Sequence, residues 1–338
     1  METLKQNVGV DIAKDSFVAT FTVLLKGLII KNKGTKKFKN NNKGFEDFLK
    51  WCEKIQVSNH LVNFTMEATG VYYEGLAYFL FGKEKVVHVL LPNKAKKYAE
   101  SLNIKSKTDK IDSKMLGRMG VERMLEKWVL YSKYYRGLRT LTRERQQIIK
   151  ERTVLKNQLH AEEHSADPAK STLRRMKNRI KYLNKQIKSV EKELETTVSK
   201  DNYLSEKVRK ITTTPGLSFN SVVTVIAETH GFVNISSIRQ LSSYAGYDVS
   251  IKESGKWKGK SKISKKGNSH IRKILYMPSL SSAQYSQTYK KFYDRLFEKK
   301  GNGLVAGTAL QRKLLGLIYT LWKNDTEYIE NYEMKKAS

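Results

Sequence analysis

Apolar residues in the first part of the chain fall into short strand-like runs separated by helix-like segments. Asn7-Val8-Gly9-Val10-Asp11-Ile12 and the stretch Phe17 to Leu24 read as consecutive strands, and Leu28-Ile29-Ile30 opens a third. A helix is expected from about Phe45 to Ile55, then a strand through Val62 to Met66, then a helix from near Tyr72. Val86 to Leu91 is a buried strand ended by Pro92. Strands and helices in alternation predict an α/β domain over residues 1–130.

From about residue 135 the period changes. Leu173, Met176, Ile180, Leu183, Ile187, Val190 and Leu194 recur at alternating spacings of three and four, the seam of a coiled coil. A first arm offers Leu138, Leu141, Ile148, Leu155 and Leu159, interrupted by Arg145 and Arg152, and Ser165-Ala166-Asp167-Pro168 supplies the turn. These features assign a coiled-coil helical hairpin to residues 131–204. The first arm's arginines would be buried if the second arm were their sole neighbour, so contacts with another copy are expected too, in a dimer or tetramer. Residues 205–338 read as a mainly α-helical domain with glycine-rich and lysine-rich loops.

Charge narrows the class of partner. Lys and Arg number 64 against 33 Asp and Glu, a formal net charge of +31. So large an excess calls for a polyanion, and nucleic acid, DNA or RNA, is the commonest. A membrane surface fits poorly, because the basic residues are spread along the chain instead of clustered. No apolar run approaches the roughly 18 residues that span a bilayer, and the start lacks a secretory apolar stretch. The single cysteine, Cys52, excludes an internal disulfide and reads as a buried thiol on a helix, so a cytoplasmic location is expected. With neither a P-loop nor a dinucleotide fingerprint, no dependence on ATP or NAD is expected. His160-Ala161-Glu162-Glu163-His164 matches an inverted zinc-protease spacing, but it sits at the hairpin's tip with no third ligand and is read as coincidence.

Four acids stand out in the first domain. Asp11 interrupts an apolar strand, where an ionised carboxylate is costly unless paired or metal-bound. Glu67 ends the strand Val62 to Met66 before the turn Ala68-Thr69-Gly70. Asp109 and Asp112, three apart, share one face of a predicted helix beside Lys105, Lys107, Lys110 and Lys114. Singly, each has a structural reading: a satisfied core polar group, a helix-start charge or a cap. Together they can hold two divalent ions, Mg2+ or Mn2+, suited to phosphodiester chemistry.

Val10-Asp11-Ile12-Ala13-Lys14, Met66-Glu67-Ala68-Thr69-Gly70 and Lys107-Thr108-Asp109-Lys110-Ile111-Asp112 resemble the DEDD transposases. These are insertion-sequence recombinases related to the Piv DNA invertase, with a first domain similar to the RuvC resolvase. The resemblance covers nearly the whole chain. It implies a ribonuclease-H-like (RuvC-like) first domain in which Asp11, Glu67, Asp109 and Asp112 bind the catalytic metal. It further implies DNA cutting and rejoining, sites completed between protomers, and a structured guide RNA encoded by the element.

The last region carries a second chemical signal. Between Tyr244-Ala245-Gly246-Tyr247 and Ile271 lie Lys252, Lys256, Lys258, Lys260, Lys262, Lys265 and Lys266, followed by Arg272 and Lys273, with Glu253 the sole acid among them. Interleaved glycines let backbone amides approach phosphates, so the stretch reads as a nucleic-acid-facing element; its Lys256, Lys258, Lys260, Lys265, Lys266 and Arg272, with Lys107 and Lys110 beside the acids of the first domain, are expected to contact the polyanion. Ser250, Ser254, Ser261, Ser264 and Ser269 are all available hydroxyls. The segment is similar to the transposase-specific second domain of the same family, which implies that Ser254, the serine before Gly255, is the nucleophile. Thr214-Pro215-Gly216-Leu217-Ser218 resembles half of a helix-hairpin-helix that would present amides to DNA, although a plain turn before a helix reads equally well. Two other functions fit the residues: a junction-resolving nuclease that uses water, and a non-catalytic nucleic-acid binder on a coiled-coil scaffold.

Overall fold

The computed structural model describes residues 2–57, 60–251, 253–255, 257–259 and 261–330. Two compact units make up the chain, Met1–Leu130 and Tyr131–Ser338.

In the first unit a five-stranded sheet is built from β1 (Thr3–Ile12), β2 (Ser16–Leu25), β3 (Ile29–Lys39), β4 (Val62–Glu67) and β5 (Val86–Leu90), in the spatial order β3-β2-β1-β4-β5. The first three strands are antiparallel neighbours, whereas β1, β4 and β5 run parallel. That order and sense make the expected ribonuclease-H-like α/β domain. Helices α1 (Asn42–Ile55) and α2 (Glu74–Gly82) follow β3 and β4. Phe45 and Phe48 of α1 pack with Phe17, Phe38 and Phe64, the rings of Phe17 and Phe48 meeting edge-on at 5.2 Å. Cys52 is buried in the same cluster, and burial pushes its thiol well above the ordinary range. Helix α3 (Pro92–Ser101) takes Pro92 in its first turn, so this proline starts a helix as well as ending a strand.

Helix α4 (Asp109–Glu122) lies on the sheet through glycines. A Cβ on Gly9 of β1 would overlap the main chain at Gly117 and Ser113, and one on Gly120 would overlap the Asn7 side chain. Polar groups fill the rest of this contact: Asn7 donates to the carbonyl of Gly117 at 3.1 Å and accepts from Thr65 at 2.9 Å, while the Thr20 and Ser113 hydroxyls meet at 2.8 Å. The buried Asn7, Thr20, Thr65 and Ser113 side chains thus find partners within the unit.

In the second unit α5 (Lys133–Glu163) and α6 (Lys170–Ser199) form the expected hairpin. Burial is graded along it: Leu173, Met176, Ile180 and Leu183 are half-exposed near the turn, whereas Ile187, Val190 and Leu194 are buried. Both interrupting arginines find a partner inside the hairpin, although the Nε of Arg152 is buried without one. Arg145 makes an ion pair with Glu191 at 2.7 Å, and Arg152 donates to Asn184 at 2.9 Å.

Six further helices, α7 (Asn202–Thr212), α8 (Phe219–Glu228), α9 (Ile238–Ala245), α10 (Ser269–Tyr285), α11 (Gln287–Lys300) and α12 (Gly303–Asn324), follow and pack with the hairpin's base. Leu138, Ile187, Val190 and Leu194 share one core with Val222, Ile226, Leu275 and Leu314. The segments expected as 131–204 and 205–338 are consequently a single packed unit. Between α9 and α10 two small ladders appear, β6 (Val249–Ser250) with β9 (Lys262–Ile263) and β7 (Glu253–Ser254) with β8 (Trp257–Lys258). The Pro215-Gly216 turn faces protein: the Ser282 hydroxyl donates to the Pro215 carbonyl at 2.6 Å, Thr214 is buried, and the Ser218 and Ser221 side chains cap α8 reciprocally. The half-motif expected there serves packing and capping, the plain-turn reading.

Among the described residues no helix is long and apolar enough to cross a membrane.

Candidate active site

Strand register brings the first two acids side by side. Val10 pairs with Met66 across the parallel β1 and β4, so the next residues, Asp11 and Glu67, stand at adjacent strand ends. Strand alternation sends Val10 and Met66 into the aromatic core and turns Asp11 to the face that Asn7 and Gly9 share with α4. The other two acids come from the start of that helix. Thr108 caps α4, its hydroxyl accepting from the Ile111 amide at 3.2 Å, which places Asp109 and Asp112 in the first turn. The positive end of the helix dipole favours both charges there.

Electrostatics record the convergence. Burial pushes the Asp11 carboxyl up to about 6, and Asp112, Asp109 and Glu67 push in the same direction, with Lys107 opposing. Burial also raises Asp112, against Lys107 and with Asp109. Four acids therefore share one field around Asp11. Asp11, Glu67 and Asp112 are half-buried, and Asp109 is exposed. Among the described residues no group of three His, Cys, Asp or Glu side chains is drawn together as a ready-made metal cage. The donor set is all carboxylate oxygen, the chemistry a hard divalent cation takes, and a cation would relieve the repulsion that raises Asp11.

Asn40 was not anticipated from sequence. Its side-chain amide donates to the Ala13 carbonyl at 3.0 Å and to the Tyr72 carbonyl at 3.1 Å, tying the turn after Asp11 to the turn after Glu67. Gly9, Gly117 and Gly120 were also missed, although the two helical glycines stand three apart, a spacing that marks a close-packed helix face.

Ser254 lies in the second unit, at the inner end of the β7·β8 ladder, where it pairs with Trp257 and is followed by Gly255 in the left-handed region at φ 55°. Its side chain is exposed. Of its rivals, Ser264 donates its hydroxyl to Asp248 at 2.8 Å and Ser269 opens α10. Among the basic residues expected to face nucleic acid, Lys107 and Lys110 flank the acids, and Lys265 and Lys266 are exposed. Arg272 is half-buried, its Nη1 donating to the Ala245 carbonyl at 2.6 Å and the Gly267 carbonyl at 3.2 Å. Lys256 and Lys260 lie outside the described residues, as do Lys252 and the side chain of Lys258.

Comparison with known proteins adds the following. Residues 8–162 match a DEDD-type family model described as "Transposase", and residues 208–294 match the "Transposase IS116/IS110/IS902 family". Two curated relatives are each a "Pilin gene-inverting protein", from Moraxella bovis and Moraxella lacunata. Each is 26% identical over 333 residues, covering 96% of this chain and 98% of the relative. Among solved structures, RuvC of T. thermophilus in complex with a Holliday junction substrate aligns at TM-score 0.28 and 7% identity, over 37% of this chain and 100% of that one.

Proposed function

Because the chain belongs to the IS110 transposases, carrying both domains of that family in order, and is a DNA recombinase, we propose that it cuts and rejoins DNA with a carboxylate-held divalent metal and Ser254 as nucleophile. The observation that carries this reading is the shared field of Asp11, Glu67, Asp109 and Asp112, which raises Asp11 through burial and mutual repulsion. These four acids would hold Mg2+ or Mn2+, which when bound supplies positive charge to a phosphodiester. Lys107 and Lys110 flank the acids and would bind neighbouring phosphates.

The Ser254 hydroxyl would form a bond to phosphorus as the bond from phosphorus to a sugar oxygen breaks. The serine proton leaves, and the departing sugar oxygen gains one. Attack by a DNA hydroxyl on the same phosphorus reverses the exchange, so joining needs no ATP. An exposed serine beside a left-handed glycine at a ladder end suits this chemistry, since its hydroxyl is open to solvent. The DNA partner follows from the family. A structured RNA that directs the choice of DNA ends belongs to the proposal, as do an assembly of two or four copies and a cytoplasmic site of action.

The experiment is covalent trapping. The protein is incubated with Mg2+, element-end DNA and the element's transcript, and the product is digested and mapped by mass spectrometry. A nucleotide adduct on Ser254 is expected, absent with EDTA and absent from Ser254→Ala. Rejoining by Ser254→Ala at the wild-type rate would favour hydrolysis by water and overturn the nucleophile. Undiminished cleavage by Asp11→Ala would overturn the metal site.

A further inference from the structure

Glu228 is a carboxylate in an improbable place. It ends α8, at the negative end of the helix dipole, and its side chain is 1% exposed. Burial acts to raise this carboxyl, but hydrogen bonds from Arg143 and Asn268 outweigh it and hold the group below its ordinary range. Arg143, on the hairpin helix α5, grips both oxygens, Nε to Oε1 at 2.7 Å and Nη2 to Oε2 at 2.9 Å. Asn268 donates its side-chain amide to Oε2 at 2.6 Å. A buried ion pair of this kind contributes little net stability compared with apolar residues of similar volume, so its role is sought in what it orients.

What it orients is the base of the segment that carries Ser254. Asn268 is the N-cap of α10, its Oδ1 accepting from the His270 and Ile271 amides, so all its side-chain directions are fixed. Its main-chain nitrogen donates to the Tyr244 carbonyl at 2.7 Å, and the Tyr244 hydroxyl donates to the Glu228 carbonyl at 2.7 Å. From this base the segment rises through Lys265 to Gly246, Ser264 to Asp248 and the β6·β9 ladder. Both ends of the segment thus meet at Glu228, and Arg143 continues the connection into the hairpin.

We propose that Glu228 is a positioning residue for the Ser254 segment, fixing its base through Asn268 and linking it to the hairpin through Arg143. The catalytic half of this inference rests on the Ser254 reading given above; the structural half does not.

The test uses the full chain, with Glu228→Gln, Asn268→Asp and the double variant that carries both. Asn268→Asp keeps the cap but sets two carboxylates together, and Glu228→Gln removes the partner of Arg143. Together they exchange donor and acceptor, and the hydrogen bond can form again. Two readouts are taken: hydrogen exchange of amides in 244–268 without DNA, and the rate of covalent adduct formation at saturating DNA. Each single variant is expected to exchange at least tenfold faster in this segment and to form adduct at least tenfold more slowly, with DNA affinity within threefold of wild type. The double variant is expected to recover most of both. Wild-type exchange in the single variants, or a double variant no better than the worse single, overturns the proposal. Restored exchange protection in a protein whose Ser254→Ala variant still rejoins DNA would overturn the nucleophile and leave the tether standing. If Asn268→Asp fails to fold, Arg143→Lys, which keeps the charge but loses the two-point grip, replaces it and is expected to loosen the same amides.

Discussion

Gly9 and Gly117 touch through their main chains, so that α4 rests on β1 with no side chain between them. This contact is what carries the first-turn acids of α4 to the strand end that bears Asp11. Gly9→Ala should push the helix off the sheet, costing roughly 1–3 kcal/mol or more, since the obstacle is backbone and cannot rotate away. Thermal melting should show the loss, and DNA cleavage should fall more steeply than stability. A Gly9→Ala protein that melts and cleaves like wild type would refute the role given to this contact.

Asp11→Asn should separate stability from catalysis. Without metal the ionised Asp11 is repelled by Asp112, Asp109 and Glu67, so the amide should melt at a higher temperature than wild type near neutral pH. With Mg2+ the order should reverse, because only wild type gains a bound cation. Cleavage should be lost in the variant. Equal melting shifts with Mg2+ in both proteins would remove the cation from this pocket.

Acid should act on the same group in a predictable sense. Asp11 has its folded value raised to about 6, so the folded chain holds this proton more tightly than the unfolded chain does. The penalty of its charge is present above that value and is relieved as pH falls from 6 towards the ordinary carboxyl range. Metal binding must displace the proton, so the Mg2+ concentration for half-maximal cleavage should rise about tenfold per pH unit below 6. A metal requirement that does not change between pH 5 and 7 would count against it.

His230 should govern acid stability in the second unit. Its ring stacks on Tyr131 at 3.7 Å, Nε2 meets Arg139 at 2.9 Å, and burial followed by the Arg139 charge pushes it down to about 4. Here the unfolded chain binds the proton more tightly. Stability is complete above the ordinary histidine range, roughly 6.5, and is lost as pH falls from there to about 4. His230→Asn, which tolerates the observed φ of 50°, should flatten that slope in melting experiments. An unchanged slope would exclude His230 as the titrating group.

The ion pair across the hairpin offers a fifth measurement of a different kind. Arg145→Leu alone should lower stability by about 1–2 kcal/mol, since it strands the partly covered Glu191. Adding Glu191→Leu should restore it, and chemical denaturation of the three proteins reads the difference. Equal stability in all three would mean that the pair is only a surface contact.

The parts legible from sequence were those with a local signature. Short apolar runs gave β1 and β2, and the three-four spacing gave α6. The acids were legible because Asp11 has no local excuse for being in its strand. What escaped depends on residues far apart, each with an ordinary reading by itself. Arg143 looks like a solvated helix charge, Glu228 like a surface acid and Asn268 like a simple cap, yet they meet. The ladders around Ser254 escaped because each strand is two residues long, too short for any alternation to show. The two carbonyls that Arg272 meets through Nη1 were likewise not legible in a basic stretch.

The falling burial along α6 has a consequence for how such proteins can vary. From Leu183 towards the turn the α6 seam residues are half-exposed, while Ile187, Val190 and Leu194 are locked into the domain. Matched heptads can therefore be removed from, or inserted into, both arms near the turn without disturbing the packed end. Length in this projection is a free parameter, adjustable by duplication or deletion while the chemistry below it stays intact.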